Sequence, residues 1–217
     1  MLLPAARSGS SEMGLGSDTL VAALGRCSIR LEQVAPELNA LDGRLGDGDL
    51  GATLEKCAAN IRKALAPPPA DIGAVFRACA VACTKASGSS LGTLLAVAFL
   101  AAAKETAGQH EIPWETMPTL LEKVIAAMSA RGGAKLGDKT VLDAIEAARA
   151  AIAGLADPVR QHAAALAAVD AALERFRGEA NRIGRARMFG DRSRGLDDPG
   201  MVAFRHMVAG LAVLESA

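Results

Sequence analysis

Three aspartates and four glycines share the eleven positions of LDGRLGDGDLG, residues 41–51. Gly43, Gly46 and Gly48 let the backbone fold tightly enough to turn Asp42, Asp47 and Asp49 toward one point. Three such carboxylates repel one another unless a cation sits among them. A hard cation such as Mg²⁺ takes oxygen ligands of this kind and completes its shell with water or phosphate oxygens. The plain alternative is a solvated acidic turn that also caps the next helix, since Asp and Gly are both common turn formers. An EF-hand does not fit, because that loop continues to a closing Glu, whereas here Gly51 follows and an apolar helical pattern begins.

Three further loops carry groups suited to anions. GGAKLGDKT, residues 132–140, nearly spells G-x-x-x-x-G-K-[ST], but Asp138 intrudes before Lys139 and no apolar strand precedes it, so a P-loop is rejected. A glycine loop leading into a helix can still offer amides to a phosphate; a simple inter-helix turn accounts for it equally well. ASGSSLG, residues 86–92, is a second small-residue loop of that type. The fourth loop holds Arg182, Arg185, Arg187, Arg192 and Arg194, and guanidinium groups grip phosphate in bidentate fashion. None of these is decisive alone. Together, a tri-acid metal candidate, two amide loops and an arginine loop are the usual parts of a nucleotide–Mg²⁺ site.

The elements that must bring these loops together are helices. Alanine dominates the apolar residues and aromatics make up only 3% of the chain, with no Tyr, a balance that favours helix over strand. Eight helices are expected. The first runs from a cap at Ser17 or Asp18 to about Leu41, with Pro36 kinking or breaking it, and the acidic stretch interrupts it. The second spans about 50–66 and stops at Pro67, Pro68 and Pro69; the third spans about 71–85. LGTLLAVAFLAAAKETA forms a fourth, apolar enough to be buried on most sides. A fifth follows Trp114 to about Arg131, a sixth covers 139–153, and a seventh starts at Pro158 and reaches about Ile183. After a long connection, the eighth covers 199–215. The four polar loops each lie near helix ends, so an up-and-down arrangement brings several of them to one rim.

The expected organisation is a flexible leader at residues 1–16 followed by one helical domain at 17–217. Lys plus Arg and Asp plus Glu both number 24, which argues against nucleic acid or anionic lipid as partners. There is neither a signal-peptide h-region nor a membrane-length apolar run, and Cys27, Cys57, Cys79 and Cys83 lack zinc spacing and read as buried thiols. A cytoplasmic protein is expected. His110, His162 and His206 lie outside the motifs and are assigned no role.

With these parts assembled, the sequence resembles the L subunits of dihydroxyacetone kinases and the equivalent C-terminal domains of the single-chain kinases. LDGRLGDGDLGATL is similar to the family signature LD-x-x-x-GDGD-x-G, GDKTVLDA to GDKTM-x-D, and GRARMFGDRSRGLDDPG to GRASYLGERS-x-G-x-x-DPG. Order and spacing agree over roughly residues 18–215.

The resemblance implies an all-α, eight-helix antiparallel barrel with ATP or ADP and two Mg²⁺ ions at one rim. By motif position it implies Asp42, Asp47 and Asp49 as metal ligands, with Leu50, Gly51, Ala52, Thr53, Ala86, Ser87, Gly132, Val141, Arg185, Asp198, Pro199 and Gly200 around the nucleotide. Arg185 would act on phosphate as the catalytic group. The implied reaction is phosphoryl transfer to a small ketose held by a separate K subunit. The donor is ATP, or ADP recharged by a phosphocarrier M subunit; a homodimer is compatible with the pattern. The alternatives are a nucleotide-dependent regulatory module without turnover of its own and a helical bundle with vestigial motifs.

Two positions depart from the family. The phosphocarrier-linked L subunits usually have His where this chain has Leu50, which leans toward exchangeable ATP. ASGSSLG also differs from the usual GGASGPLYG, which weakens the assignment of Ala86 and Ser87 relative to the aspartates.

Overall fold

Oxygen caps start most of the helices. Asp71, Ser89, Asp157 and Asp198 each accept a hydrogen bond from the amide three residues on, and Thr140 forms a capping box with Asp143. Pro158 and Pro199 occupy first-turn positions, where the missing amide hydrogen costs nothing. The computed structural model describes residues 14–86 and 89–212. Among these, α1 (Ser17–Leu45), α2 (Leu50–Ala64), α3 (Ile72–Thr84), α4 (Ser90–Glu105), α5 (Met117–Gly132), α6 (Val141–Ile152), α7 (Pro158–Arg177) and α8 (Pro199–Gly210) alternate with short connections.

Each helix packs on the next, and α8 packs back on α1, which closes the ring into an eight-helix antiparallel barrel. Leu38, Leu54, Ile72, Val75, Met128, Val169 and Met201, drawn from six of the helices, are completely or almost completely buried in its core. The four cysteines are free and buried. No helix of the described residues is long and apolar enough to cross a membrane.

The structure departs from the sequence expectations at several elements. Pro36 does not end or split α1, which continues without interruption to Leu45. Val34, Ala35 and Leu38 are buried around it, and α2 packs so closely there that a Cβ at Gly51 would overlap the Ala35 carbonyl oxygen. Tertiary packing thus offsets the one hydrogen bond that proline removes. Leu100 is 59% exposed, so α4 is not buried on most sides. α7 ends at Arg177, six residues earlier than expected.

Gly14–Gly16, expected as the end of a leader, form β1, antiparallel to β2 (Glu111–Pro113), with Leu15 opposite Ile112 and both buried. Residues 1–13 lie outside the described residues.

Candidate functional site

The barrel brings the C-terminal ends of α1 and α5 and the N-terminal ends of α2, α4, α6 and α8 around one cavity of about 420 Å³. Four helix N-termini at one opening give it a positive backbone field suited to an anion.

The acidic loop leads into one of these N-termini, with Asp49 at the N-cap position of α2. Asp42 is in the last turn of α1, because the helix runs through LDGRL, while Asp47 and Asp49 lie in the connection to α2. Asp42 Oδ2 accepts from the amides of Asp49 at 3.1 Å and Leu50 at 3.4 Å, so it ties the end of one helix to the start of the next. Asn39, unflagged by sequence, does the same for Ala52, whose amide donates to Asn39 Oδ1 at 3.1 Å.

The glycines have specific reasons to be there. Gly48 has a left-handed φ of +75°, and a Cβ at Gly46 would come within 2.6 Å of Asp42 Oδ1.

Asp42, Asp47 and Asp49 each offer an oxygen within 4.8 Å of the others. Burial first, and then the neighbouring carboxylates of Asp47 and Asp42, push the Asp49 carboxyl above its ordinary range, while Arg185 acts against them. Arg185 Nη1 is paired with Asp47 Oδ1 across the cavity mouth. Three crowded carboxylates with a single balancing guanidinium form a donor set that a divalent cation would complete. The oxygen-only chemistry and the spacing fit Mg²⁺.

The remaining expected residues divide into two groups. Leu50, Gly132, Val141, Arg185, Asp198, Pro199 and Gly200 line the cavity with the three aspartates. Gly51, Ala52, Thr53 and Ala86 do not. Gly51 and Thr53 are buried against the α1 side and the core, and Ala86 closes the turn after α3 by donating its backbone N–H to the Cys83 carbonyl oxygen. Ser87 lies outside the described residues.

Gly132 reaches the wall as the last residue of α5, with Gly133 in the left-handed C-cap position. The glycine loop therefore closes α5 on the cavity side and, through the Thr140 cap, opens α6 on the same side.

Sequence reasoning missed the apolar wall formed by Leu45, Leu94, Met128, Leu142 and Ile183, whereas Ser89, Ser90 and Thr140, which also line the cavity, belong to the two small-residue loops it singled out. Helical spacing alone marks Leu94 and Met128 as ordinary core residues. Only the ring closure shows that they border an opening.

Asp198 is bound on both oxygens. Met201 N donates to Oδ1 and Asn181 Nδ2 to Oδ2, each at 2.9 Å. Burial nevertheless pushes its carboxyl up to about 6. The histidines serve structural bonds elsewhere, His206 between Arg30 and Glu37, and His110 and His162 on backbone carbonyls.

Residues 44–213 match the DAK2 domain family. The chain is 28% identical over 207 residues to the ADP-binding subunit DhaL of the PEP-dependent dihydroxyacetone kinase of Escherichia coli, covering 93% of this chain and 98% of that one. It is 30% identical over 211 residues to the human triokinase/FMN cyclase, covering 94% of this chain and 36% of that protein.

The crystal structure of the dihydroxyacetone kinase of C. freundii superposes with a TM-score of 0.71 at 26% identity over 98% of this chain and 38% of that one. The same enzyme in complex with AMP-PNP and Mg²⁺ gives a TM-score of 0.70 at 25% identity, over 98% of this chain and 37% of that one. The chain thus spans nearly all of the bacterial subunit and little more than a third of the single-chain enzymes.

Proposed function

This chain belongs to the DAK2 domain family, and from that premise we propose that it is the nucleotide-binding subunit of a dihydroxyacetone-type kinase. It would pass phosphate from Mg²⁺-bound nucleotide to a small ketose held on a separate K subunit. The observation that carries this reading is the three-carboxylate cluster and Arg185 at the mouth of a cavity ringed by four helix N-termini. The nucleotide and Mg²⁺ bound by the C. freundii enzyme support it, as does the description of the E. coli relative as an ADP-binding subunit.

In this reading Asp42, Asp47 and Asp49 hold two Mg²⁺ ions, which neutralise and bridge the nucleotide phosphates. The apolar wall of Leu45, Leu94, Met128 and Ile183 receives the base and ribose, and the N-termini of α6 and α8, with Val141, Pro199 and Gly200, border the phosphates. Arg185, freed from Asp47 as the metal occupies the carboxylate, turns to the transferring phosphate and stabilises its spreading charge. Phosphoryl transfer requires mainly positioning and electrostatics, so no nucleophile on this chain is needed; the ketose hydroxyl attacks from the partner.

The four buried free thiols fit a reducing cytoplasm. Leu50, buried at the start of α2 on the cavity wall, occupies the position of the histidine usual in phosphocarrier-linked subunits, and this favours exchangeable ATP over ADP recharged by an M subunit.

The test is reconstitution with the ketose-binding subunit encoded in the same genome. ATP alone should yield ketose phosphate. Product formed only when a phosphocarrier and PEP are added would reverse the choice of donor, and failure to form product with either donor system would sink the kinase reading.

A further inference from the structure

The GDKT segment does not act as a P-loop, and Lys139 does not line the cavity. Its side chain is completely buried, at 0% exposure, and its backbone has φ +60°, the one positive φ at a non-glycine among the described residues. A left-handed backbone and a buried ammonium both persist only where the surroundings fix them. Lys139 Nζ donates to the carbonyls of Glu179 at 2.7 Å and Ser193 at 3.0 Å, with a longer contact to Arg177 at 3.5 Å. Asp198, Asp197 and Glu179 supply a negative field around it.

These acceptors sit at the two ends of one segment. Residues 177–181 enter it and residues 193–198 leave it, and the two ends are joined by Asn181 N to Ser193 Oγ at 3.0 Å, Gly195 N to Arg177 O at 2.7 Å and Arg194 Nη1 to Gly178 O at 2.8 Å. Asn181 Nδ2 donates to both Lys139 O and Asp198 Oδ2, each at 2.9 Å, which links this root to a residue of the cavity wall. The stretch between the ends is exposed and carries Arg185, Arg187 and Met188. Arg185 reaches across the cavity to Asp47. Where its guanidinium stands depends on how the root is held.

We infer that Lys139 is a positioning residue for Arg185: its buried ammonium clamps the two ends of the arginine-bearing segment and so sets the reach of that guanidinium over the acidic loop. The role in phosphate handling rests on the function proposed above, whereas the clamp itself does not. The ammonium acts without touching nucleotide or metal, so its effect on binding must pass through the segment it holds.

The test uses Lys139→Met, which keeps most of the side-chain bulk and removes the charge, and Lys139→Gly, which also relieves the left-handed backbone. Each is made alone and with Arg185→Ala. Trypsin cleavage at the arginines of residues 182–194 in the ligand-free protein should accelerate at least tenfold in both single variants. Mg²⁺–ADP affinity should fall about tenfold on the wild-type background and less than twofold on the Arg185→Ala background.

Unchanged cleavage, or the same affinity loss on both backgrounds, would overturn the inference. If neither variant folds, Asn181→Ala breaks the same root from the opposite side. Faster cleavage there supports the clamp and cleavage at the wild-type rate refutes it. A wild-type protein that does not bind Mg²⁺–ADP defeats the functional reading and leaves the trypsin result to decide the clamp.

Discussion

At residues 42–49 three carboxylates stand with their oxygens within 4.8 Å of one another and have one exposed arginine to balance them. At Lys139 a single ammonium is enclosed by carbonyl oxygens that the chain itself provides. Both are charged clusters near the same cavity, and they differ in what completes them. The lysine cluster is satisfied within the fold, so removing its charge leaves buried acceptors unpaired and costs stability. The aspartate cluster is left with like charges in contact, so removing charge there relieves repulsion and costs binding. A charged motif next to a pocket is therefore not a ligand site by virtue of its charge; the sign that distinguishes the two is whether the chain already supplies the counter-groups.

The largest expected effect separates the two clusters directly. Asp47→Asn combined with Asp49→Asn should weaken Mg²⁺-dependent ADP binding at least ~100-fold, about 3 kcal/mol, while the metal-free protein melts at the same temperature or higher. A melting temperature that drops with the loss of binding would place the aspartates in the same structural class as Lys139.

The converse is Lys139→Met, which should lower stability by about 2–3 kcal/mol in urea titrations without metal or nucleotide, through the unpaired carbonyls it leaves. A neutral result there would remove the contrast from the other side.

Asp198 gives a pH test of the lysine-side network. Burial raises its carboxyl to about 6 in the fold, against an ordinary value of 3.8. The folded protein therefore binds an extra proton between those values, and the contribution of this group to stability falls as pH rises through that window and is flat above it. Asp198→Asn keeps the helix cap and removes the titration. The stability of the variant relative to wild type should rise by about 3 kcal/mol across the window, read from urea midpoints at several pH values. A difference that does not change with pH would mean that the carboxyl is not desolvated.

The smallest effect sharpens the acidic side. Gly48→Ala should cost about 1 kcal/mol from the left-handed φ alone, measured by thermal unfolding. It should also weaken Mg²⁺–ADP binding, since Asp47 and Asp49 flank that residue.

Much of this was legible in the sequence, and the reasons are particular. The helix starts at Asp71, Ser89, Thr140, Pro158 and Pro199 could be read because capping is local chemistry. The juxtaposition of Asp42, Asp47 and Asp49 could be read from their glycine frame. What was hidden depends on distant partners. Pro36 passes unbroken because α2 packs across it, and Gly14–Gly16 become a strand because Glu111–Pro113 lie alongside. α7 stops at Arg177 because the next residues turn to serve Lys139 and Ser193. Nothing local marks Lys139 as buried. In its motif it looks like a phosphate ligand, and only the fold shows it bound to the chain.

The most direct test of the account is calorimetric titration of the wild-type chain with ADP, once with Mg²⁺ and once with a chelator. The account predicts one nucleotide bound per chain with Mg²⁺ and affinity at least ~100-fold weaker without it. Equal affinity in the two titrations, or no binding at millimolar ADP with Mg²⁺ present, would contradict the claim that the aspartate cluster is completed by a cation and its nucleotide.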